Sequence, residues 1–161
     1  MEQKKQIPPR PQWNDDMNRE LIQFTIGLIE EWDNIDHSCD EIDIYLGGVK
    51  GLRNADGYAI ACQLHCCMCV IPDSNLVRAL DKVAPHAESI LQDAVKKWVK
   101  DHDIKPKLRT GGEIMVTIDT GQKVPRKIVA IRKLTARYVM YGADRESMYI
   151  PFEDVHSLEG E

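Results

Sequence analysis

An α+β fold is expected for this chain, with a mainly helical part followed by a small part built of strands. Three observations predict it. Apolar residues recur every three or four positions from Met17 to Trp32 and again from Ala87 to Val99, the period of an amphipathic helix. After Gly111-Gly112 the period becomes two: Ile114, Val116 and Ile118 alternate with Glu113, Met115, Thr117 and Asp119. The charge changes sign near the same point. Residues 1–104 hold 11 Lys/Arg against 18 Asp/Glu, a net −7, and residues 105–161 hold 10 against 8, a net +2.

The 161 residues are enough for one modest domain and a small one. The expected division is a flexible Pro-rich tail over 1–12, a helical acidic domain over 13–103, a linker over 104–110 and the strand-rich part over 111–161. A content of 43% hydrophobic and 29% charged residues places the chain among soluble globular proteins. Every apolar run is shorter than the roughly 18–20 residues of a membrane span, so no membrane partner is expected. Met1-Glu2-Gln3-Lys4-Lys5-Gln6 lacks the apolar core of a signal peptide. The five cysteines are an odd number, and four crowd into residues 62–69, unlike a spread disulfide framework. Both features predict a reducing, cytoplasmic setting. The overall charge of −5 opposes bulk attraction to nucleic acid.

Pro8-Pro9-Arg10-Pro11 blocks helix propagation and makes residues 1–12 a tail. Asn14, Asp15 and Asp16 then offer caps and first-turn carboxylates for a helix over 14–33. Its stripe runs Met17, Leu21, Phe24, Leu28, Trp32 and is widened by Ile22, Ile26 and Ile29. Glu41 to Leu46 alternates like a half-buried strand. Tyr58 to Ile71 is almost continuously apolar, and periodicity leaves two forms open. It is either a strand hairpinned to 41–46 through Asn54-Ala55-Asp56-Gly57 or a buried helix, which its Ala, Leu, Met and Gln content favours slightly. Pro72-Asp73-Ser74 opens a further helix with Ser74 as the cap, Pro85 breaks it, and the next helix runs from 86 to 101. In the last third, strands are expected over 113–119, 127–134, 136–141 and 147–152, with a final one near Val155–Leu158.

Five short strands in about 48 residues are best protected by closing or half-closing the sheet. The order of strand, long loop, two tightly joined strands, fourth strand, single turn and fifth strand, with Ile150-Pro151-Phe152-Glu153-Asp154-Val155 at its end, resembles the SH3-like small barrels. That superfamily includes Tudor-type and KOW-type modules. The resemblance covers residues 111–159 and implies a small five-stranded β-barrel. It implies no functional residue, because such folds host many unrelated roles.

Between Asp119 and Asp144 there is no carboxylate, and the interval holds Lys123, Arg126, Lys127, Arg132, Lys133 and Arg137 with Tyr138 and Tyr141. This basic ribbon has the chemistry to hold phosphates and stack bases, or to meet an acidic protein surface. It also has the composition of solvated strand edges kept from aggregating. Between Glu20 and Val49 no Lys or Arg occurs, while Glu30, Glu31, Asp33, Asp36, Asp40, Glu41 and Asp43 do. That stretch reads first as a solubilising surface, second as a site for a basic partner and last as a metal site, since it has no calcium-loop spacing.

Cys62, His65, Cys66, Cys67 and Cys69 invite a zinc reading that geometry opposes. On a helix the first and last would be about 10 Å apart along the axis, too far for one tetrahedral ion. On a strand they divide between two faces. Buried free cysteines packing as small apolar residues are expected instead, with no metal and no cofactor. Gly47-Gly48-Val49-Lys50-Gly51 lacks phosphate-loop spacing, and no G-x-S-x-G occurs, so no catalytic residue is assigned.

The expected function is that of a small non-enzymatic interaction protein that binds a macromolecular partner, first of all another protein. An adaptor or inhibitor of the kind phages and mobile elements encode would have these features. Two alternatives stand beside it: nucleic-acid binding through the basic ribbon, and an enzyme or small-ligand binder with a pocket between helices. A homodimer closing over the apolar 58–71 segment is a further expectation.

Overall fold

In the computed structural model the described residues are 7–33, 46, 51–68, 71–117, 121–142 and 144–155, with the side chains of Asp33, Cys67 and Met68 left aside. Helices α1 (Asp15–Asp33), α2 (Gly57–Met68), α3 (Ser74–Leu80) and α4 (Val83–Asp101) precede strands β1 (Glu113–Thr117), β2 (Lys123–Lys127), β3 (Ala130–Arg132), β4 (Arg137–Tyr141) and β5 (Ser147–Pro151). The α+β class therefore stands. The chain divides into two compact units, Pro11–Asp93 and Met1–Arg10 with Ala94–Glu161, and the division falls inside α4.

In the first unit, α1 begins where the Asn14 side chain accepts the Met17 amide hydrogen at 3.0 Å. Leu21, Ile22, Ile26 and Ile29 are buried along the expected stripe. Thr25 is buried among them and returns its hydroxyl to the Leu21 carbonyl at 2.8 Å, which satisfies a polar group in an apolar setting. Phe24, at the margin, stacks on His86 with ring centroids 3.7 Å apart.

The apolar segment that begins at Tyr58 takes its helical form as far as Met68. Ile60, Ala61 and Leu64 of α2 enter the core, so no hairpin joins this segment to 41–46, whose residues 41–45 lie outside the described set. Helix α2 packs on α3 so closely that only glycine fits at its start. A Cβ on Gly57 would lie 2.2 Å from the Val77 carbonyl oxygen, and the Gly57 amide donates to Asp81 Oδ1 at 2.9 Å. The cap of α3 is Asp73 and not Ser74. Its Oδ1 accepts the Asn75 and Leu76 amide hydrogens at 2.8 Å each, and the Trp32 indole N–H at 3.2 Å. Pro85 does not separate two helices either. It sits in the first turn of α4, where an amide hydrogen would have no acceptor within the helix, so the missing N–H costs nothing.

In the second unit the expected closed, five-stranded barrel is not formed among the described residues. Strands β1 and β2 make a two-stranded antiparallel sheet, and β3, β4 and β5 a three-stranded one in that order. The cause is a change of partner within one stretch of chain. Ile128 exchanges hydrogen bonds with Gly112 and Gly111, each 2.8 Å, and so extends the β1–β2 ladder. The next amide, of Val129, turns to the Val139 carbonyl at 2.8 Å. The strand expected over 127–134 is thereby split: Lys127 ends β2, Ala130–Arg132 is β3, and Lys133–Thr135 is a 3-10 turn. Strand β2 in turn starts at Lys123, inside the expected loop. Of the final strand near 155–158, residues 156–158 lie outside the described set.

Ile114, Val116, Ile128, Ala136, Tyr138, Met140 and Phe152 bury together with Trp98 of α4, and Tyr138 tilts against Phe152 with centroids 4.5 Å apart. The 104–110 segment contributes to this core through Ile104 and Leu108. The described end of the Pro-rich tail is also held in this unit, for Pro8 accepts a hydrogen bond from Trp98 and Arg10 from the tail reaches Glu153. No helix of the described residues is long and apolar enough to cross a membrane.

Candidate partner-binding face

The site is built by the register of the three-stranded sheet. Ile131, Tyr138 and Ile150 align across β3, β4 and β5, and all three point into the core. Alternation turns their neighbours to the opposite face, where Val139 at the centre is itself buried. On the opposite face Arg132 pairs with Arg137 and Arg137 with Pro151, Ala130 with Val139 and Val139 with Tyr149, and Tyr141 with Ser147. Tyr149 is thus one diagonal step from both Tyr141 and Arg137, about 7–8 Å in such a ladder. Tyr141 and Tyr149 remain 54% and 49% exposed. Arg137 is half-buried, and its Nε is a buried donor without a partner. In folded proteins such donors are seldom left unmatched.

The basic ribbon does not form one surface. Lys123 and Lys127 pair with Thr117 and Glu113 on the exposed side of the β1–β2 hairpin. Arg126 pairs with Ile114 and so lies on the buried side, where its Nε is also unpartnered. Lys133 is exposed in the 3-10 turn after β3. Tyr138 is fully buried, with its phenolic oxygen accepting the Leu108 amide hydrogen at 3.0 Å, so it is a core residue and offers no stacking surface. A period of two necessarily separates neighbouring strand residues in this way. Tyr149 was absent from the ribbon read in the sequence. The alternation of Met148 and Ile150 inward with Ser147 and Tyr149 outward is the signal that marks it.

Glu30 and Glu31 are exposed in the last turn of α1, which carries no basic residue to balance the negative end of the helix dipole. The side chain of Asp33 and all of Asp36, Asp40, Glu41 and Asp43 lie outside the described set. The structural division sharpens the charge contrast. Pro11–Asp93 holds 5 Lys/Arg against 15 Asp/Glu, a net −10, and the other unit holds 16 against 11, a net +5. Lys96, Lys97 and Lys100 of α4 and the tail's Lys4, Lys5 and Arg10, offset by Glu2, Asp101 and Asp103, make the difference from the division at residue 104.

The cysteines are less buried than expected. Cys66 is exposed and Cys62 half-buried, both as free thiols, because α2 presents Ile60, Ala61 and Leu64 to the core and turns Cys66 away. Cys67's side chain and Cys69 lie outside the described set. The Tyr58 phenol is held above its ordinary pKa, first by a hydrogen bond with the Cys62 thiol and then by that group's charge. Among the described residues no group of three or more His, Cys, Asp or Glu side chains could hold a metal ion. The first unit contains an open cleft of about 550 Å³ lined by Trp13, Arg53, Pro85, Glu88 and Leu91, with the Arg53 guanidinium 5.6 Å from the Trp13 ring centroid. Comparison with known protein families, curated proteins and solved structures finds no match to this chain.

Proposed function

We propose that this chain is a non-enzymatic interaction protein that engages a partner protein through the outer face of the β3-β4-β5 sheet. The observation that carries the reading is the gathering of Arg132, Arg137, Tyr141 and Tyr149 on one face of the positively charged unit. Tyrosine buries a large area at the cost of two rotatable bonds, and arginine makes bidentate contacts. Both are enriched at the centres of protein interfaces, where lysine is depleted. The positive field of this unit favours a partner with an acidic surface and speeds its approach. An adaptor or inhibitor working in a reducing, cytoplasmic setting fits the free thiols of Cys62 and Cys66.

The test is quantitative capture from lysate by the full chain and by a Tyr141→Ala/Tyr149→Ala variant. A stoichiometric protein partner held by the first and lost by the second is the expected result. Capture of nothing, or equal capture by both, would overturn the reading. One observation supports a second reading on the same face. Two tyrosines a diagonal apart beside guanidinium groups suit stacking of successive bases with phosphates on Arg132 and Lys133. A mobility shift with single-stranded nucleic acid that weakens steeply with salt, and that the same variant loses, would replace the protein partner by a nucleic acid.

A further inference from the structure

In the second unit, the described end of the tail lies across a groove formed by α4, the 104–110 segment and the turn after β5. The Trp98 indole N–H donates to the Pro8 carbonyl at 3.0 Å. Two residues on, the Arg10 guanidinium lies 5.6 Å from the centroid of the same indole. Its Nε pairs with Glu153, and its Nη1 and Nη2 donate to the carbonyls of Thr135 and Ala136 at 3.1 and 2.7 Å. The Arg10 side chain is only 12% exposed, while Glu153 stays 38% exposed. Pro8 and Pro9 have their φ angles set by their rings, so little backbone freedom is lost when the segment docks. Pro8 lies outside any helix or strand, so its carbonyl is free to accept from an indole N–H.

The groove is larger than what lies in it. A cavity of about 320 Å³ remains beside the tail, lined by Ile7, Pro9, Ile104, Lys107 and Phe152 among others. We propose that this groove is a recognition site for a proline-rich, arginine-bearing segment of a partner protein, and that the chain's own Pro8-Pro9-Arg10 occupies it in cis. Trp98 reads a proline carbonyl, Glu153 with the Thr135 and Ala136 carbonyls reads the arginine, and the vacant space takes a bulkier apolar side chain next to the prolines. The tethered tail competes with any incoming segment as an intramolecular ligand, so it acts as a built-in threshold on affinity. The side chains that read the segment, Trp98 and Glu153, are not among those of the sheet face, so the two readings are tested by different variants.

The experiment uses the full chain carrying Arg10→Glu, which sets the tail's own carboxylate against Glu153 and releases it, and a synthetic peptide of residues 5–12 as the probe. Arg10→Gln replaces this variant if Arg10→Glu loses cooperative unfolding. The readout is the indole N–H resonance of Trp98, assigned with Trp98→Phe. Its hydrogen exchange should be slow in the unaltered chain, fast in the variant, and slow again once peptide is added. Peptide should bind the variant about tenfold or more tightly than the unaltered chain, as removal of a competing tether requires. Adding Glu153→Arg should abolish binding, and a peptide with Glu at the arginine position should bind neither chain, since a carboxylate cannot donate to the Thr135 and Ala136 carbonyls. Tyr141→Ala/Tyr149→Ala should leave peptide binding unchanged. A folded Arg10→Glu chain whose Trp98 signal does not move with peptide at ~1 mM, the order of effective concentration that a short tether would provide, would overturn the proposal. So would equal binding of the original and charge-reversed peptides. Concentration-dependent dimerisation of the unaltered chain, lost in Arg10→Glu, would make the occupant a second copy's tail and overturn the assignment to a partner protein.

Discussion

The phenolic oxygen of Tyr138 lies 3.0 Å from the Leu108 amide nitrogen and accepts its hydrogen inside the core of the second unit. One hydroxyl therefore joins the middle of β4 to the segment between α4 and β1. Tyr138→Phe removes the acceptor and leaves the part-buried amide without this partner, at a cost of about 0.5–1.5 kcal/mol. Denaturant unfolding should show this loss while partner capture by the folded protein is unchanged. Tyr141→Ala should do the reverse, with stability within about 0.5 kcal/mol and capture reduced. An equal effect of the two changes on stability would contradict the opposite orientations of these residues.

Gly57 is fixed by the approach of α2 to α3. The Cβ of an alanine there would meet the Val77 carbonyl oxygen at 2.2 Å and the Asp81 amide nitrogen at 2.6 Å, and both are backbone atoms that cannot rotate away. Gly57→Ala should destabilise by roughly 1–3 kcal/mol, even though alanine is the better helix former. Gly27, with open space around its Cβ position, is the control. Gly27→Ala should stabilise α1 by about 0.5–1 kcal/mol. Thermal unfolding of the two variants should move in opposite directions.

Asp73 holds three donors on one oxygen, two at the start of α3 and one from Trp32 of α1. Asp73→Ala should cost about 1–2 kcal/mol, the range of a lost cap, and should shift Trp32 fluorescence as its indole N–H loses its acceptor. Asp73→Asn keeps an acceptor oxygen and should recover most of the stability. Failure of Asn to recover it would assign the effect to charge and not to capping.

The Tyr58 phenol titrates above its ordinary value because its hydrogen bond with Cys62 favours the neutral form. The sign follows directly. A raised folded-state pKa makes its small contribution to stability below the ordinary phenol range, and that contribution fades as pH rises through the raised value. Cys62→Ala should bring the Tyr58 titration down toward the ordinary value, as read by NMR of ring-labelled tyrosine. An unchanged midpoint would show that the thiol is not the cause.

Much of this architecture was legible in the local pattern. The stripes of α1 and α4, the change of period after Gly112 and the alternation in β1 each reflect a single element with one buried face, and periodicity alone reports that. The 58–71 segment was not legible, because a run apolar on every side carries no period. The helix it forms begins at Gly57, where the chain comes into close contact with α3. The barrel was overextended for a similar reason. Alternation predicts strands over 127–134, but it contains nothing about partners, and the hydrogen bonds of Ile128 and Val129 lead to different sheets.

Charge and aromaticity could be counted in the sequence without revealing which side of a strand they occupy. Lys127, Arg126 and Tyr138 belong to one basic and aromatic interval. The ladder sends the first outward, places the second beside Ile114 and buries the third. The proline-rich tail likewise showed its stiffness and its arginine. That this arginine would meet Trp98 and Glu153, 88 and 143 residues away, was decided only by the packing of the second unit. The chain's local chemistry determined which elements form and what they carry. Tertiary structure decided which faces meet, because burial is a property of neighbours that no stretch of sequence contains.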